Sequence, residues 1–109
     1  MITGKNKERF ENWYNEKLIF QYIKLSISLR GFYNLPFEMQ QGVLLAYYDE
    51  SNIFINVEHN EIARKYHYSI YFKPMRDDVM TMSIFKTRNK TYQEAFKQAD
   101  KLENERLNK

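Results

Sequence analysis

A chain of 109 residues, 43% hydrophobic and 28% charged, has the size and balance of one domain able to bury a core without staples. It contains no cysteine, which excludes disulfides, thiolate zinc sites and cysteine nucleophiles. The net charge of +3 is unevenly spread: six basic and three acidic side chains over residues 1–30, none and five over 31–63, eleven and six over 64–109. A partner meeting the middle of the chain therefore meets a different field from one meeting its C-terminal part.

The first residues, Met1-Ile-Thr-Gly-Lys5, form no apolar run of signal-peptide type, and no stretch approaches the ~20 apolar residues of a membrane span. The expectation is a cytoplasmic protein with no membrane partner. Nine Tyr, eight Phe and one Trp make 17% of the chain. Such residues fill a core or, with the polar tip of Tyr, line a contact surface.

In chain order, residues 5–18 read as a helix, with Phe10, Trp13, Tyr14 and Leu18 at helical spacing. Residues 19–30 fit two patterns. Ile23, Leu25, Ile27 and Leu29 alternate as in a strand, whereas Leu18, Tyr22, Leu25 and Leu29 share a helical face. Gly31 and Asn34 end the segment in either case. A second helix starts at Pro36, whose missing N–H costs nothing in a first turn, with Glu38 on the favourable side of the dipole. Gly42 inside it predicts close packing against another element.

Three strands are expected next: Ile53–Glu58, Tyr66–Phe72 and Val79–Phe85, with short links that favour an antiparallel meander. Thr91-Tyr-Gln-Glu94 reads as a capping box opening a last helix, with Tyr92, Ala95, Phe96, Ala99 and Leu102 inward and Asp100 among the water-facing residues. Its tail from Glu103 is expected to fray. The fold class is α+β, α-α-β-β-β-α: one domain over 1–109, with residues 5–30 a helical N-terminal extension and 34–103 an αβββα core. Phe37, Leu44, Tyr47, Ile53, Ile55, Ile70, Ile84, Tyr92, Phe96 and Ala99 are the expected core.

No catalytic site is legible. His59 and His67 lack metal-ligand spacing, and the adjacent pairs Asp49-Glu50 and Asp77-Asp78 point apart in a strand or turn. Ser51, Ser69 and Ser83 have no elbow motif, and three glycines cannot build a phosphate-cradling loop. The chain is therefore expected to be no enzyme, without metal, cofactor or small-molecule substrate. The strongest local signal is the basic run Lys86, Arg88 and Lys90 at the start of the last helix, where cations meet a helix N-terminus and can contact phosphate. Arg64 and Lys65, with Lys73 and Arg76, are expected to add a basic rim. For protein contact, Tyr48, Tyr66, Tyr68 and Tyr71 are the candidate anchors.

Two resemblances accompany these residues. The order helix–strand–strand–strand–helix resembles a double-stranded-RNA-binding domain, and Lys86, Arg88 and Lys90 fall near that family's phosphate-gripping turn. His59-Asn-Glu-Ile-Ala63 departs from its usual β1–β2 motif by lacking Gly and Pro, and Lys97 and Lys101 lie further down the helix than its lysines. The words Leu35-Pro-Phe-Glu-Met-Gln-Gln-Gly-Val43, Ala46-Tyr-Tyr-Asp49, Phe85-Lys-Thr-Arg-Asn89 and Glu94-Ala-Phe-Lys-Gln-Ala-Asp-Lys-Leu102 are similar to small phage and prophage proteins. That resemblance implies an accessory protein in the host cytoplasm that binds a host protein or ribonucleoprotein, such as a CRISPR effector, and inhibits it stoichiometrically, as an anti-CRISPR does. Inhibition of such a host target is the first expectation; the alternative is the RNA binding that the first resemblance implies.

Overall fold

A computed structural model describes residues 2–19, 27–73, 79–81 and 84–109. Its helices are α1 (Gly4–Ile19), α2 (Leu29–Tyr33), α3 (Phe37–Glu50) and α4 (Arg88–Leu107). The strands are β1 (Ile53–Asn60), β2 (Lys65–Phe72) and a two-residue segment, β3 (Val79–Met80). The protein is α+β, built on an antiparallel hairpin in which all eight residues of β1 face all eight of β2, from Ile53 opposite Phe72 to Asn60 opposite Lys65. Strand alternation puts Ile53, Val57, Tyr68 and Ile70 on one face, buried under α3 and α4.

Of the third strand expected over Val79–Phe85, the described residues show two ladder positions and one separate bridge. Val79 pairs with Ile70 and Met80 with Ser69. At the next step Thr81 turns its hydroxyl to the ladder, where it accepts from the Tyr68 amide at 3.1 Å. Pairing resumes at Phe85, which bridges Tyr66. Three steps along β2 thus separate these pairings, against five along the facing segment. Ile84, expected in the core, is 59% exposed: it precedes Phe85, whose bridge partner Tyr66 belongs to the helix-covered face, so alternation turns Ile84 to the other face.

The N-terminal helix is part of the core rather than an extension of it. Phe10 and Tyr14 are fully buried; the Phe10 ring meets Tyr47 edge-on at 5.2 Å and Phe32 at 5.5 Å. The start of α1 is capped by α4. Asp100 accepts from the Thr3 amide at 2.9 Å, and Asn104 Oδ1 from the Asn6 amide at 2.9 Å, which satisfies N–H groups a helix start leaves orphaned. Gly4 sits at φ +58°, a backbone conformation that favours glycine, and a Cβ there would lie 2.9 Å from Asn104 Oδ1 and displace that side chain. Asn6 is fully buried; its amide donates to Tyr48 Oη at 3.0 Å and to Asp100 Oδ1 at 2.8 Å, and its side-chain carbonyl accepts from Tyr47 at 2.7 Å. Glu103, also fully buried, pairs with Arg9 at 3.4 Å and with Arg106. The tail expected to fray from Glu103 is therefore helical to Leu107, and Asp100 faces α1, not water.

Within the ambiguous 19–30 segment, residues 20–26 lie outside the described residues. Leu29 begins α2, capped by Ser28, whose hydroxyl accepts from the Gly31 amide. Pro36 is the N-cap of α3 and Glu38 lies in its first turn. Gly42 is exposed, and a methyl group placed on its Cα would meet nothing within 4 Å, so the close packing expected there is absent. The last helix starts one turn earlier than its capping-box pattern implies. Thr87 is the N-cap, accepting from the Lys90 amide at 3.1 Å, while Thr91 is buried and donates to Thr87 O at 2.7 Å. Leu44, Tyr47, Ile53, Ile70, Phe96 and Ala99 are buried as expected, whereas Phe37, Ile55 and Tyr92 are only partly so.

Candidate nucleic-acid interface

Four of the five basic residues singled out in the sequence meet at the turn end of the hairpin. The connection Glu61–Arg64 has no glycine; Arg64 itself takes the left-handed conformation at φ +54°, and Asn60 Oδ1 accepts from the Ala63 amide at 3.0 Å to close the turn. The Tyr66–Phe85 bridge, with N···O distances of 2.7 and 3.2 Å, then sets the next residues outward, Lys65 and Lys86, towards one another. Arg88, in the first turn of α4, places its guanidinium 5.4 Å from the Tyr66 ring centroid, and His59 lies on the same ring at 4.8 Å. Arg64, Lys86 and Arg88 are exposed and Lys65 is partly so.

Lys90 does not join this group. It lies one turn into α4 and pairs with Glu94 at 3.1 Å in an i,i+4 bridge. Lys73 stands at the other end of β2, over the Phe54 ring at 5.3 Å, and Arg76 lies outside the described residues. The α4 start is further held by Asn89, which donates to Glu38 at 2.9 Å and accepts from Gln41 at 3.1 Å.

The tyrosines expected as anchors divide. Tyr48 and Tyr68 are buried and present no surface: Tyr48 stacks on Phe96 at 6.0 Å and accepts from Asn6, and Tyr68 stacks on Phe85 at 6.0 Å. Burial, and after it the Glu94 charge, pushes the Tyr68 phenol above its ordinary pKa. Tyr66 is half-buried beneath Arg88, and Tyr71 is 37% exposed on the opposite face of the hairpin. The sequence reading missed Ile62, 98% exposed at the hairpin tip beside Arg64, because a lone apolar residue between turn residues carries no periodic signal.

Chemically, this end of the molecule offers fixed positive charge and an arginine stacked on an aromatic ring, which suits binding to phosphate. Among the described residues no three His, Asp or Glu side chains converge on a metal-sized site, and no helix is long and apolar enough to cross a membrane. No family model, curated protein or solved structure matches this chain.

Proposed function

We propose that this protein acts by binding, gripping the phosphate backbone of a nucleic acid through Arg64, Lys65, Lys86 and Arg88, with RNA, free or within a ribonucleoprotein, as the partner. The observation that carries this reading is the Tyr66–Phe85 bridge, which gathers cations from two distant parts of the chain at one end. The experiment is a salt titration. Each neutralised phosphate releases counterion, so changing all four residues to Ala should flatten the slope of log affinity against log salt by about 3–4 units on a duplex and by about 3 on a single strand. An unchanged slope refutes the assignment. Folding should be little affected, because exposed cations contribute little to stability.

A second reading is supported by Ile62 and Ile84, both strongly exposed and both beside the basic end. Apolar tips within a charged rim suit a protein surface, and inhibition by occupancy of a host effector, such as a CRISPR nuclease, follows from the phage resemblance. A ribonucleoprotein target presents both chemistries. Capture from host lysate with and without ribonuclease separates them: loss on ribonuclease treatment assigns the affinity to RNA, and persistence assigns it to protein.

A further inference from the structure

The hairpin has a second face, and among the described residues no helix covers it. Alternation assigns Phe54, Asn56 and Glu58 of β1 and Lys65, His67, Ser69 and Tyr71 of β2 to this face, opposite the face buried under α3 and α4. Register places Phe54 directly across from Tyr71 and Glu58 across from His67. Lys73 continues the same side beyond the end of β2, its ammonium 5.3 Å from the Phe54 ring centroid.

Tyr71 shows how this surface is laid out. Its phenol oxygen accepts from the Ser69 hydroxyl at 3.1 Å, two residues back on the same strand. To make that bond the ring must lean along the strand over Ser69. Ser69 is indeed only 2% exposed, while Tyr71 is 37% exposed. One side of the ring therefore covers the sheet and the other is open to solvent. Side chains on one face of a strand repeat about every 6.6–6.8 Å. Along β2 the row reads Lys73, Tyr71, Ser69, His67 and Lys65, so a cation stands at each end; Tyr71 is its exposed ring, His67 is largely buried, and Phe54 stands across from Tyr71. Glu58, 3.9 Å from His67, is the one carboxylate on this face among the described residues of the hairpin.

We propose that this open face is a stacking platform for single-stranded nucleic acid, with bases laid on Tyr71 and Phe54 and phosphates held by Lys73 and Lys65, the strand continuing onto the basic end of the hairpin. The proposal rests on the nucleic-acid reading above and narrows it to a strand with unpaired bases. Flat aromatic surface binds any base through its π-face, and alternating cations follow the backbone. A duplex cannot use the rings, because its bases are already stacked and paired.

The test is fluorescence anisotropy at one low salt concentration, with a labelled 15-nucleotide oligothymidine or oligouridine and with a 15-base-pair duplex. Stacking on an aromatic side chain is worth roughly 5- to 150-fold per base by alanine substitution. Tyr71→Ala and Phe54→Ala should each weaken single-strand binding roughly ten-fold, and the double substitution roughly a hundred-fold, with duplex binding within about two-fold of the parent. Tyr71→Phe should keep the affinity. Tyr71→Leu, which retains apolar cover over Ser69 without a flat ring, should lose it as Ala does while the urea midpoint stays near the parent's. Single-strand binding undiminished in the double variant overturns the platform, as does an equal loss for strand and duplex. If the unsubstituted protein binds neither probe, the nucleic-acid reading itself fails. If the fourfold basic substitution abolishes binding and the aromatic ones do nothing, only the platform fails.

Discussion

Asn6→Ala tests the polar cluster that joins α1 to the rest of the core. The Asn6 side chain makes three hydrogen bonds at full burial: to Tyr48 Oη, to Asp100 Oδ1 and from Tyr47 Oη. Its removal costs differently at each partner. Asp100 keeps the Thr3 amide at 2.9 Å, the Thr3 hydroxyl at 2.6 Å and the Asn104 amide at 3.3 Å, so the carboxylate stays paired. Tyr47 keeps only a long contact to the Asn6 backbone carbonyl at 3.4 Å, and Tyr48 loses its donor. A buried group left without its partner costs about 1–3 kcal/mol, and a bond to a charged group contributes about 1.5–3 kcal/mol. Alanine returns roughly half a kcal/mol of helix propensity. The expected net loss is about 3–5 kcal/mol, a large part of the stability of a domain this size. With a urea m-value of about 1.5 kcal/mol/M, the midpoint should fall by roughly 2 M or more at unchanged m. Combining the substitution with Tyr47→Phe should give a coupling energy of about 1–3 kcal/mol in a double-mutant cycle. A midpoint shift under about 0.5 M, or additive effects in the cycle, would refute the integration of α1 into the core.

Three further outcomes follow from the structure. Gly42→Ala should raise stability by about 0.5–1 kcal/mol, since the site is a helix interior with open space for a methyl group; a destabilised variant in urea melts would show hidden packing there. Thr87→Ala should cost about 1 kcal/mol by removing the cap of α4, and an unchanged midpoint would place the start of that helix elsewhere. Burial pushes the Tyr47 phenol up to about 12, and raises Tyr33 and Tyr48 further still. Unfolded tyrosines ionise near pH 10, so this contribution to stability is complete below pH 10 and is lost as the pH rises from 10 to 12. Tyrosinate absorbance should lag in the folded protein and appear together with unfolding; simple titration of all nine tyrosines at pH 10 would contradict it.

The elements were readable where periodicity was strong and local. Phe10, Trp13 and Tyr14 marked α1, and Ile53, Ile55 and Val57 marked the inner face of β1, because each pattern has one buried side. The start of α4 was misread because two threonines stand one turn apart, and the one followed by a glutamate at the third position is not the cap. Thr87 wins through contacts far away in sequence: Asn89, just after it, is held by Glu38 and Gln41 of α3. The break in pairing left no mark either, since Val79–Phe85 reads as strand throughout, and only the partners on β2, Ser69 for Met80 and Tyr66 for Phe85, show that the two segments do not advance in step.

Helix α4 explains why the polar core was invisible. A helix covering a sheet is read as having one apolar stripe, and that stripe was found in Ala95, Phe96 and Ala99. But α4 also carries α1 on another side, and the residues there are Asp100, Glu103 and Asn104. By composition they belong to a solvated face. Asp100 and Glu103 are buried, and Asn104 partly so, because Asn6, Thr3 and Arg9 meet their oxygens, and such complementarity exists only between two helices, in neither one alone. The basic end obeys the same logic with opposite sign. Lys86 and Arg88 could be seen as a local run, and Arg64 and Lys65 as a pair, but their union depends on the bridge between Tyr66 and Phe85. That bridge also corrects the run itself: once Thr87 caps the helix, Lys90 falls a turn inside it and is taken up by Glu94, so the surface charge shifts from α4 towards the hairpin turn.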